Sequence, residues 1–452
     1  MASNLNRRLV FWLIHAYLRK WGKIILLSFV VGLIVFFLLI NLFPVLIKLF
    51  PGRRPIIGVA GIYTLNTVPS SITNKLSDGL TKVNPDGSIS PSVAKSWRIS
   101  SDGKTYEFIL DSTKTYADGS PVTPESISYN FTNVKIDRSQ PGRITFTLKD
   151  KYTPFLATVS RPIIKNNTIG IGEYKLEGIT LSGGFLESLR LIPVKNRLQY
   201  ETYQFYPTQE ALKTAFLLGE VNEVNGITDT AISTYSLQDF PNVHVEKHTS
   251  TTQLVTLFFN MQDGSLSDKS LRNALAYALP DTFSGGVRAY LPYPRESLYF
   301  NNDLPDKKRD LEHARVLLTA VTDNGKNKLP PLTLSYVSKY KDTALAIQKA
   351  WKEIGIDVKL NQTEQIPQTY QMYINDFTIP RDPDQYALWH SGQPNNITHY
   401  DSNRIDKFLE DGRKELDEAK RRRIYTDFQK YLQDDSPAAF LYFPQTYSVI
   451  RK

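Results

Sequence analysis

An uncharged run from Ile24 to Ile47, built mainly of Leu, Ile, Val and Phe, limits what this chain can fold into more than any other stretch. About twenty such residues are enough for a helix to cross the hydrocarbon core of a bilayer. The run is longer than the apolar part of a cleavable signal peptide, and no small-residue cleavage site follows it. The sequence therefore predicts an uncleaved transmembrane anchor within residues 1–54, and the alternative is a buried core helix.

The charges around this run predict its orientation. Eight Lys and Arg residues and no Asp or Glu lie within positions 1–55, five before the run and three after it. Basic residues favour the cytoplasmic side, so we expect a cytoplasmic N-terminus and a body on the extracytoplasmic face of the cell membrane. The remaining chain is almost neutral although the total charge is +9, which argues against a nucleic-acid-binding surface.

Length and cysteine content set two further limits. With 452 residues the chain is too long for a single hydrophobic core, so two or three domains are expected. Because it contains no cysteine, it can form neither disulfides nor thiolate metal sites, and it cannot carry a lipid on an N-terminal cysteine.

Residues 76–131 contain a regular series of turn signals. Three Asp-Gly steps punctuate residues 80–131 of this stretch, at Asp86-Gly87, Asp102-Gly103 and Asp118-Gly119. Such steps predict tight turns, because glycine adopts positive φ freely and aspartate tolerates it. Between the second and third steps, Tyr106, Phe108 and Leu110 point to one side of a predicted half-buried strand.

The same stretch carries a longer pattern of fixed residue types. In chain order its parts are Pro91-Ser-Val-Ala94, Trp97, Ser101-Asp-Gly-Lys-Thr-Tyr106 and Tyr116-Ala-Asp-Gly-Ser-Pro-Val-Thr123. This pattern resembles the signature region of solute-binding protein family 5, the extracytoplasmic peptide- and nickel-binding components of ABC transporters. Weaker similarities extend the resemblance over roughly residues 56–450.

The resemblance implies an α/β fold of the type II periplasmic-binding-protein class, with two lobes and a small extra subdomain in addition to the transmembrane helix. The expected division is residues 1–54 for the cytoplasmic N-terminus and anchor, 55–255 for lobe I with the signature subdomain at about 76–150, 256–434 for lobe II, and 435–452 for a strand returning to lobe I.

Local patterns predict several elements of the two lobes. The apolar positions of Thr208–Gly219 favour an amphipathic helix that ends at its glycine. The run Leu254–Asn260 predicts a strand buried on both faces, as in a parallel sheet. A strand over 332–337, a helix over 343–354 and a strand over 356–360 predict a right-handed βαβ unit.

Motifs of catalysis are missing from the sequence. There is no Gly-x-Ser-x-Gly elbow, no His-Glu-x-x-His and no cysteine nucleophile. His390 and His399 flank one loop and are weak candidates for a metal pair. We therefore predict no enzymatic activity, no metal and no cofactor.

The acidic turn Asp382-Pro383-Asp384, followed by Trp389, is the first candidate ligand site. In the resembled family an acidic residue near a similar turn pairs with the α-amino group of a peptide. A carboxylate beside an aromatic ring suits an ammonium group. Here the preceding segment Phe377–Pro380 is shortened, so the amine-binding acid has no certain counterpart, and turn formation is the alternative role of both aspartates.

Three other residues are candidates for ligand contacts. Lys339 and Tyr340 follow the strand at 332–337, and ligands of α/β lobes bind beyond the carboxyl ends of strands. Lys339 could bind a peptide carboxylate and Tyr340 could contact peptide side chains, and a solvated loop is the alternative. Asn66 precedes the segment that lines the cleft in the resembled family, but here that segment is shortened to the residues between Asn66 and Leu76. The basic run Arg421–Arg423 is interpreted as a solvated helix face.

Together these observations predict a membrane-tethered protein that captures peptides or a similar small solute for the permease subunits of an ABC transporter. The expected partners are the ligand, the permease and, through Ile24–Ile47, the membrane; no nucleic acid is expected. Two alternatives remain. A tethered receptor or scaffold with the same fold and little ligand binding fits the shortened segments, whereas a tethered hydrolase requires a nucleophile or metal set that the sequence does not offer.

Overall fold

The structure is a computed structural model that describes residues 7–49, 55–166, 168–195, 200–322 and 329–452. Arg53 and Arg54, which contribute to the predicted orientation, lie outside these ranges. The α-helices are α1 (Arg7–Leu49), α2 (Ser70–Leu76), α3 (Phe155–Thr158), α4 (Gln209–Leu218), α5 (Lys269–Tyr277), α6 (Leu311–Val321), α7 (Lys341–Lys352), α8 (Tyr386–Trp389), α9 (Asn403–Lys414) and α10 (Glu418–Asp435).

The strands form one large sheet and three small ones. They are β1 (Ile56–Ala60), β2 (Thr81–Val83), β3 (Ile89–Pro91), β4 (Ala94–Ile99), β5 (Thr105–Leu110), β6 (Val134–Asp137), β7 (Arg143–Leu148), β8 (Tyr174–Ser182), β9 (Phe185–Pro193), β10 (Glu201–Tyr206), β11 (Glu223–Ile227), β12 (Ala231–Ile232), β13 (Tyr235–Ser236), β14 (Val243–Thr249), β15 (Gln253–Phe259), β16 (Gly286–Arg288), β17 (Leu332–Tyr336), β18 (Val358–Gln362), β19 (Met372–Thr378) and β20 (Ala438–Arg451).

The N-terminal helix α1 contains the apolar run. Its segment Ile14–Leu38 is long and apolar enough to cross a membrane, and none of the side chains described in this segment is buried inside the protein. Large apolar side chains such as Phe29 and Phe37 are exposed along it. The alternative of a buried core helix is therefore wrong.

One half of the large sheet, which we call lobe I, has the order β8-β9-β10-β1-β11 followed by the end of β20. β1 runs parallel to both β10 and β11, and α4 packs so closely on it that a side chain at Gly58 would collide with Leu212. The predicted helix is confirmed: the Thr208 hydroxyl accepts from the Ala211 N–H at its start, and Gly219 ends it at φ 82°.

The signature subdomain is a four-stranded antiparallel sheet in the order β4-β5-β7-β6. Tyr106 and Phe108 are completely buried in its core, as the alternation in β5 predicts. The glycines of the three Asp-Gly steps predicted as turns have positive φ, at Gly87 (87°), Gly103 (70°) and Gly119 (86°). The turns are thus confirmed, and a residue with a Cβ would be strained at each.

The other half of the large sheet, which we call lobe II, has the order β18-β17-β19-β15-β20. β17, α7 and β18 form the predicted βαβ unit with parallel strands. β15 is buried as expected, but it runs antiparallel to both β19 and β20. The prediction of a parallel environment for β15 is wrong, because burial on both faces shows only that layers cover the strand and not which way its neighbours run.

Two crossings join the lobes. Residues 250–252 connect β14 of lobe I to β15 of lobe II. β20 pairs with β15 through Ala438–Tyr442 and with β14 through Gln445–Arg451, so a single strand belongs to both lobes. The boundary expected between residues 255 and 256 falls inside β15. Within the described residues, the two lobes are thus connected through the centre of the sheet and through contacts across the cleft.

Candidate ligand-binding cleft

A cavity of about 650 Å³ lies between the lobes. Lobe I contributes the segment 70–87 and Ser160 to its walls, and lobe II contributes parts of 293–299 and 379–383. The crossing residues Thr251 and Thr252 form its base. The cavity therefore contacts both lobes and the connection between them.

The shortened segment before Leu76 folds into α2, and this helix provides part of the lobe I wall through Ser70 and Asn74. In the same wall, the buried Ser77 hydroxyl accepts from the Ile171 N–H at 3.1 Å. The backbone at Gly79 approaches Ser160 so closely that a Cβ there would collide with it. The lobe I wall is therefore fixed by backbone packing.

The lobe II wall is formed by aromatic and proline residues. The buried Tyr293 hydroxyl donates to the Pro383 carbonyl at 2.6 Å, which ties the acidic turn to the segment 293–299. Tyr299 lies beside it, and its hydroxyl accepts from Arg421 at 3.4 Å. Across the cleft, the Leu298 N–H donates to the Asp86 carbonyl at 2.8 Å and joins this wall to lobe I.

Asp382 is placed in a buried ion pair. Both of its carboxylate oxygens accept from the guanidinium of Arg421, with Nη1 2.9 Å from Oδ2. Arg421 is 4% exposed, so the interpretation of this arginine as part of a solvated helix face is wrong. Burial opposes its charge, but Asp382 raises the pKa of Arg421 well above its usual value. The pair fixes the acidic turn onto α10.

Asp384 is held by a second cation. Its Oδ2 accepts from Arg413 Nε at 2.9 Å, and the guanidinium of Arg413 lies over the rings of Tyr152, at 5.1 Å, and Tyr386, at 4.1 Å. Burial raises the pKa of Asp384, and the charge of Arg413 offsets only part of that effect. Because Tyr152 belongs to lobe I, Arg413 links the lobes beside the acidic turn.

Trp389 is buried in the core of lobe II, with 1% of its surface exposed. Its Nε1–H donates to Gln385 Oε1 at 2.8 Å, and its ring packs edge-on against Phe440. In this conformation the indole offers no face to a ligand. The cation–π role suggested for Trp389 stays a prediction that this conformation does not support.

Lys339 and Tyr340 converge on a carboxylate that sequence reasoning did not single out. Lys339 Nζ and the Tyr340 hydroxyl each lie 2.6 Å from Asp376 Oδ1. Burial alone would raise the pKa of Asp376, but these two hydrogen bonds and the ammonium charge hold it below its usual value. Both residues lie outside the cavity lining, as does Asn66, which is exposed in the turn Thr64–Thr67.

A second cavity of about 400 Å³ adjoins the first. Its lining includes Asp382, Asp384, Arg161 and Arg381, and it shares Ser160, Pro380 and Arg381 with the larger cavity. The structure thus brings the two predicted aspartates together at the cleft, although each already has a cationic partner. Of the other candidates, Trp389 lies behind this wall, and Lys339, Tyr340 and Asn66 lie elsewhere.

In the ranges that the structure describes, no three His, Cys, Asp or Glu side chains are grouped so that they could hold a metal ion. His390 lies 3.8 Å from Asp406 and 3.4 Å from Glu410, and its ring contacts Tyr386. These contacts position His390 as a link between α8 and α9.

Sequence reasoning missed several residues that face the cleft: Asp78, Lys82, Arg161 and Arg381. Two signals could have indicated them. Arg381 immediately precedes the acidic turn, and Asp78 forms an Asp-Gly step with Gly79, four residues before Lys82. Composition alone could not separate them from solvated surface charges.

A family model described as "Bacterial extracellular solute-binding proteins, family 5 Middle" matches residues 88–399 of this chain. The dipeptide-binding protein DppE of Bacillus subtilis is 22% identical over 468 residues, covering 84% of this chain and 83% of that protein. A nickel-binding periplasmic protein of Escherichia coli is 25% identical over 338 residues, covering 62% and 64%.

Solved structures share the fold. The ABC transporter substrate-binding protein CtaP of Listeria monocytogenes aligns with a TM-score of 0.71 and 21% identity, covering 89% of this chain and 94% of that chain. The oligopeptide-binding protein AppA of Bacillus subtilis, in complex with a nonapeptide, aligns with a TM-score of 0.64 and 20% identity over 88% and 95%. The two-lobed α/β fold predicted from the resemblance is confirmed.

Proposed function

The chain belongs to family 5 of the bacterial extracellular solute-binding proteins, and from this premise we propose that it captures peptides or similarly small solutes for an ABC transporter. The observation that carries the proposal is the cavity of about 650 Å³ with walls from both lobes. Its size lies within the range of about 300–1,000 Å³ typical of small-molecule sites. A solute held there would contact both lobes at once.

The connection between the lobes supports capture by closure. Two crossings, at 250–252 and along β20, join two separate hydrophobic cores. A ligand that contacts both walls favours the closed arrangement, because only that arrangement allows all of its contacts. Permeases of this transporter class would then receive the closed, loaded form.

We further propose that α1 tethers the protein with its N-terminus in the cytoplasm and its body outside. The length, apolar composition and exposure of Ile14–Leu38 support this proposal. A tether confines the body to the membrane that holds the permease and so raises the local concentration of each for the other.

Titration of the full chain in detergent micelles would test the proposed capture. We expect peptides of two to eight residues to raise the unfolding temperature in a concentration-dependent way, because a ligand that binds only the folded state stabilises it. Mass spectrometry of the freshly purified chain should also identify a bound solute. Absence of any shift across the peptide panel, together with a purified chain free of solute, would reject solute capture.

The alternative of a tethered receptor or scaffold is favoured by contacts that hold the lobes together without a ligand. Thr153 of lobe I donates twice to lobe II, from its N–H to the Arg413 carbonyl and from its hydroxyl to the Glu415 carbonyl, each at 2.8 Å. A closed arrangement in solution that no peptide changes, measured by small-angle scattering, would favour this alternative.

A further inference from the structure

The loop that was expected to bind an ammonium group has no free carboxylate. The acidic residues of this region are Asp376, which lies in β19 before the loop, and Asp382 and Asp384 within the loop. Each already binds a cation of the chain itself: Lys339 at 2.6 Å, Arg421 at 2.9 Å and Arg413 at 2.9 Å, respectively. The lobe II wall therefore lacks the unpaired negative charge that a ligand ammonium group would need.

Arg381 gives the same wall a positive charge. Its exposed side chain lines both cavities at the cleft. Its one hydrogen bond within the described part of the chain joins Nη1 to Ser160 Oγ at 3.2 Å, and it forms no ion pair there. A guanidinium carries five N–H donors, so most of those of Arg381 remain available to a ligand.

In this hydrogen bond, Arg381 is the donor and Ser160 is the acceptor. Its hydroxyl donates to the Ala157 carbonyl at 2.7 Å and is buried, with 7% of the residue exposed. Because its single proton is used there, its oxygen can only accept from Arg381. The contact bridges the lobes and keeps the guanidinium at the boundary of the two cavities.

The charge balance of the cleft is positive. Among the described residues that line the two cavities, Lys82, Arg161 and Arg381 form no ion pair, and Asp78 is the acid without one. Asp382 and Asp384 are neutralised by their arginine partners. Three cations against one carboxylate favour a ligand with net negative charge near this wall.

We propose that Arg381 is a specificity-determining residue that binds a carboxylate of the ligand in the cleft. This inference rests on the proposed function of the cleft, and it names the ligand class as small solutes with at least one free carboxylate. A guanidinium fork matches both oxygens of a carboxylate, which a neutral amide cannot reproduce. The ligand end that faces lobe II is therefore anionic, opposite to the ammonium group expected from the resembled family.

Matched probes can test this inference on the full chain in detergent micelles. The peptide Ala-Ala-Ala is compared with its C-terminal amide and its N-acetyl derivative, and succinate serves as a carboxylate that is not a peptide. Dissociation constants are measured by calorimetry. We expect the free acid to bind about 10- to 100-fold more tightly than the amide, the range of one charge-assisted hydrogen-bonding group. Acetylation should have a smaller effect.

Variants distinguish specific binding by the Arg381 guanidinium from a general effect of positive charge. Arg381→Gln should bring the free acid down to the affinity of the amide, and Arg381→Lys should lie between the two because it keeps the charge but loses the fork. Arg98→Gln removes a comparable exposed arginine from β4, away from both cavities, and should change nothing. Circular dichroism checks that each variant is folded.

The outcomes distinguish the inference from the proposed function. Equal affinity of acid and amide, or unchanged affinity in Arg381→Gln, would overturn the inference and leave solute capture standing. Binding of succinate that is lost in Arg381→Gln, without binding of any peptide, would support the anion site and reject peptide capture. Failure of both Ala-Ala-Ala and succinate to bind would overturn the inference.

Discussion

Arg381 and Asp382 are adjacent in the chain but lie in opposite environments. Asp382 is buried, and both of its carboxylate oxygens accept hydrogen bonds from Arg421 of α10. Arg381 is exposed at the cavities and has a single polar contact, to Ser160. Two adjacent residues of this loop therefore define two sides of it. Asp382 forms the buried side, which stabilises the fold, and Arg381 forms the exposed side, which is available to bind a ligand.

The difference shows why a charged residue cannot be assigned a role from its type alone. A buried charge needs a partner at every polar atom, and those partners remove it from contact with a ligand. An exposed charge without a partner costs the fold little and retains its capacity to bind. Substitutions on the two sides should accordingly differ in kind as well as in size.

The largest expected effect is on the buried side. Arg421→Met leaves the carboxylate of Asp382 buried without its cation, and we expect it to lower the free energy of unfolding by about 3–5 kcal/mol. Urea denaturation of the full chain, monitored through tryptophan fluorescence, measures the change.

A double variant provides the control for this loss. Adding Asp382→Leu to Arg421→Met removes the stranded charge, so much of the lost stability should return. A loss below about 1 kcal/mol in Arg421→Met, or no recovery in the double variant, would show that Asp382 has another source of stabilisation.

A smaller effect is expected at Asp376. Asp376→Asn weakens the hydrogen bonds from Lys339 and Tyr340 and should cost about 1–3 kcal/mol at neutral pH. Because the pKa of Asp376 is lowered in the folded protein, this stabilisation is present above the unfolded pKa and is lost as the pH falls through the folded value.

The dependence of the unfolding temperature on pH tests whether Asp376 is ionised in the folded protein. The unfolding temperatures of the wild type and Asp376→Asn should differ at pH 7 and converge as the pH falls below the ordinary pKa of aspartate, about 4. A difference in unfolding temperature that stays constant over this range would contradict an ionised Asp376.

The smallest effect on stability is expected at Arg381. Since its side chain is exposed and has one hydrogen bond, Arg381→Gln should change the free energy of unfolding by less than about 0.5 kcal/mol. The same urea titration measures it beside Arg421→Met. A loss comparable with that of Arg421→Met would remove the distinction between the two sides of the loop.

The local elements of this fold could be predicted because their signals lie within a few residues of one another. The alternation of Tyr106, Phe108 and Leu110, and the cap and glycine at the ends of α4, depend on neighbours in the chain. The direction of the strands beside β15 could not be predicted, because burial carries no information about it.

The candidate site was predicted less well, for a reason that its residues make plain. The acidic turn was located, but the partner of Asp382 is 39 positions away on α10, inside a run of arginines that has the composition of a solvated face. Trp389 could equally have faced a ligand or a core. Only packing between distant segments decides which charges are neutralised, and a single sequence does not record that packing.

The shared strand β20 has a consequence for biosynthesis. Its residues 438–451 lie between β15 and β11 and complete the sheets of both lobes, although β1 begins at Ile56. The ribosome synthesises about 5–20 residues per second, so β20 is made on the order of tens of seconds after β11. Until then, β11 of lobe I has no β20 to pair with. During that interval the unpaired edges of both lobes are open to other chains. We therefore expect nascent forms of this protein to depend on chaperones until position 451 has been translated and exposed.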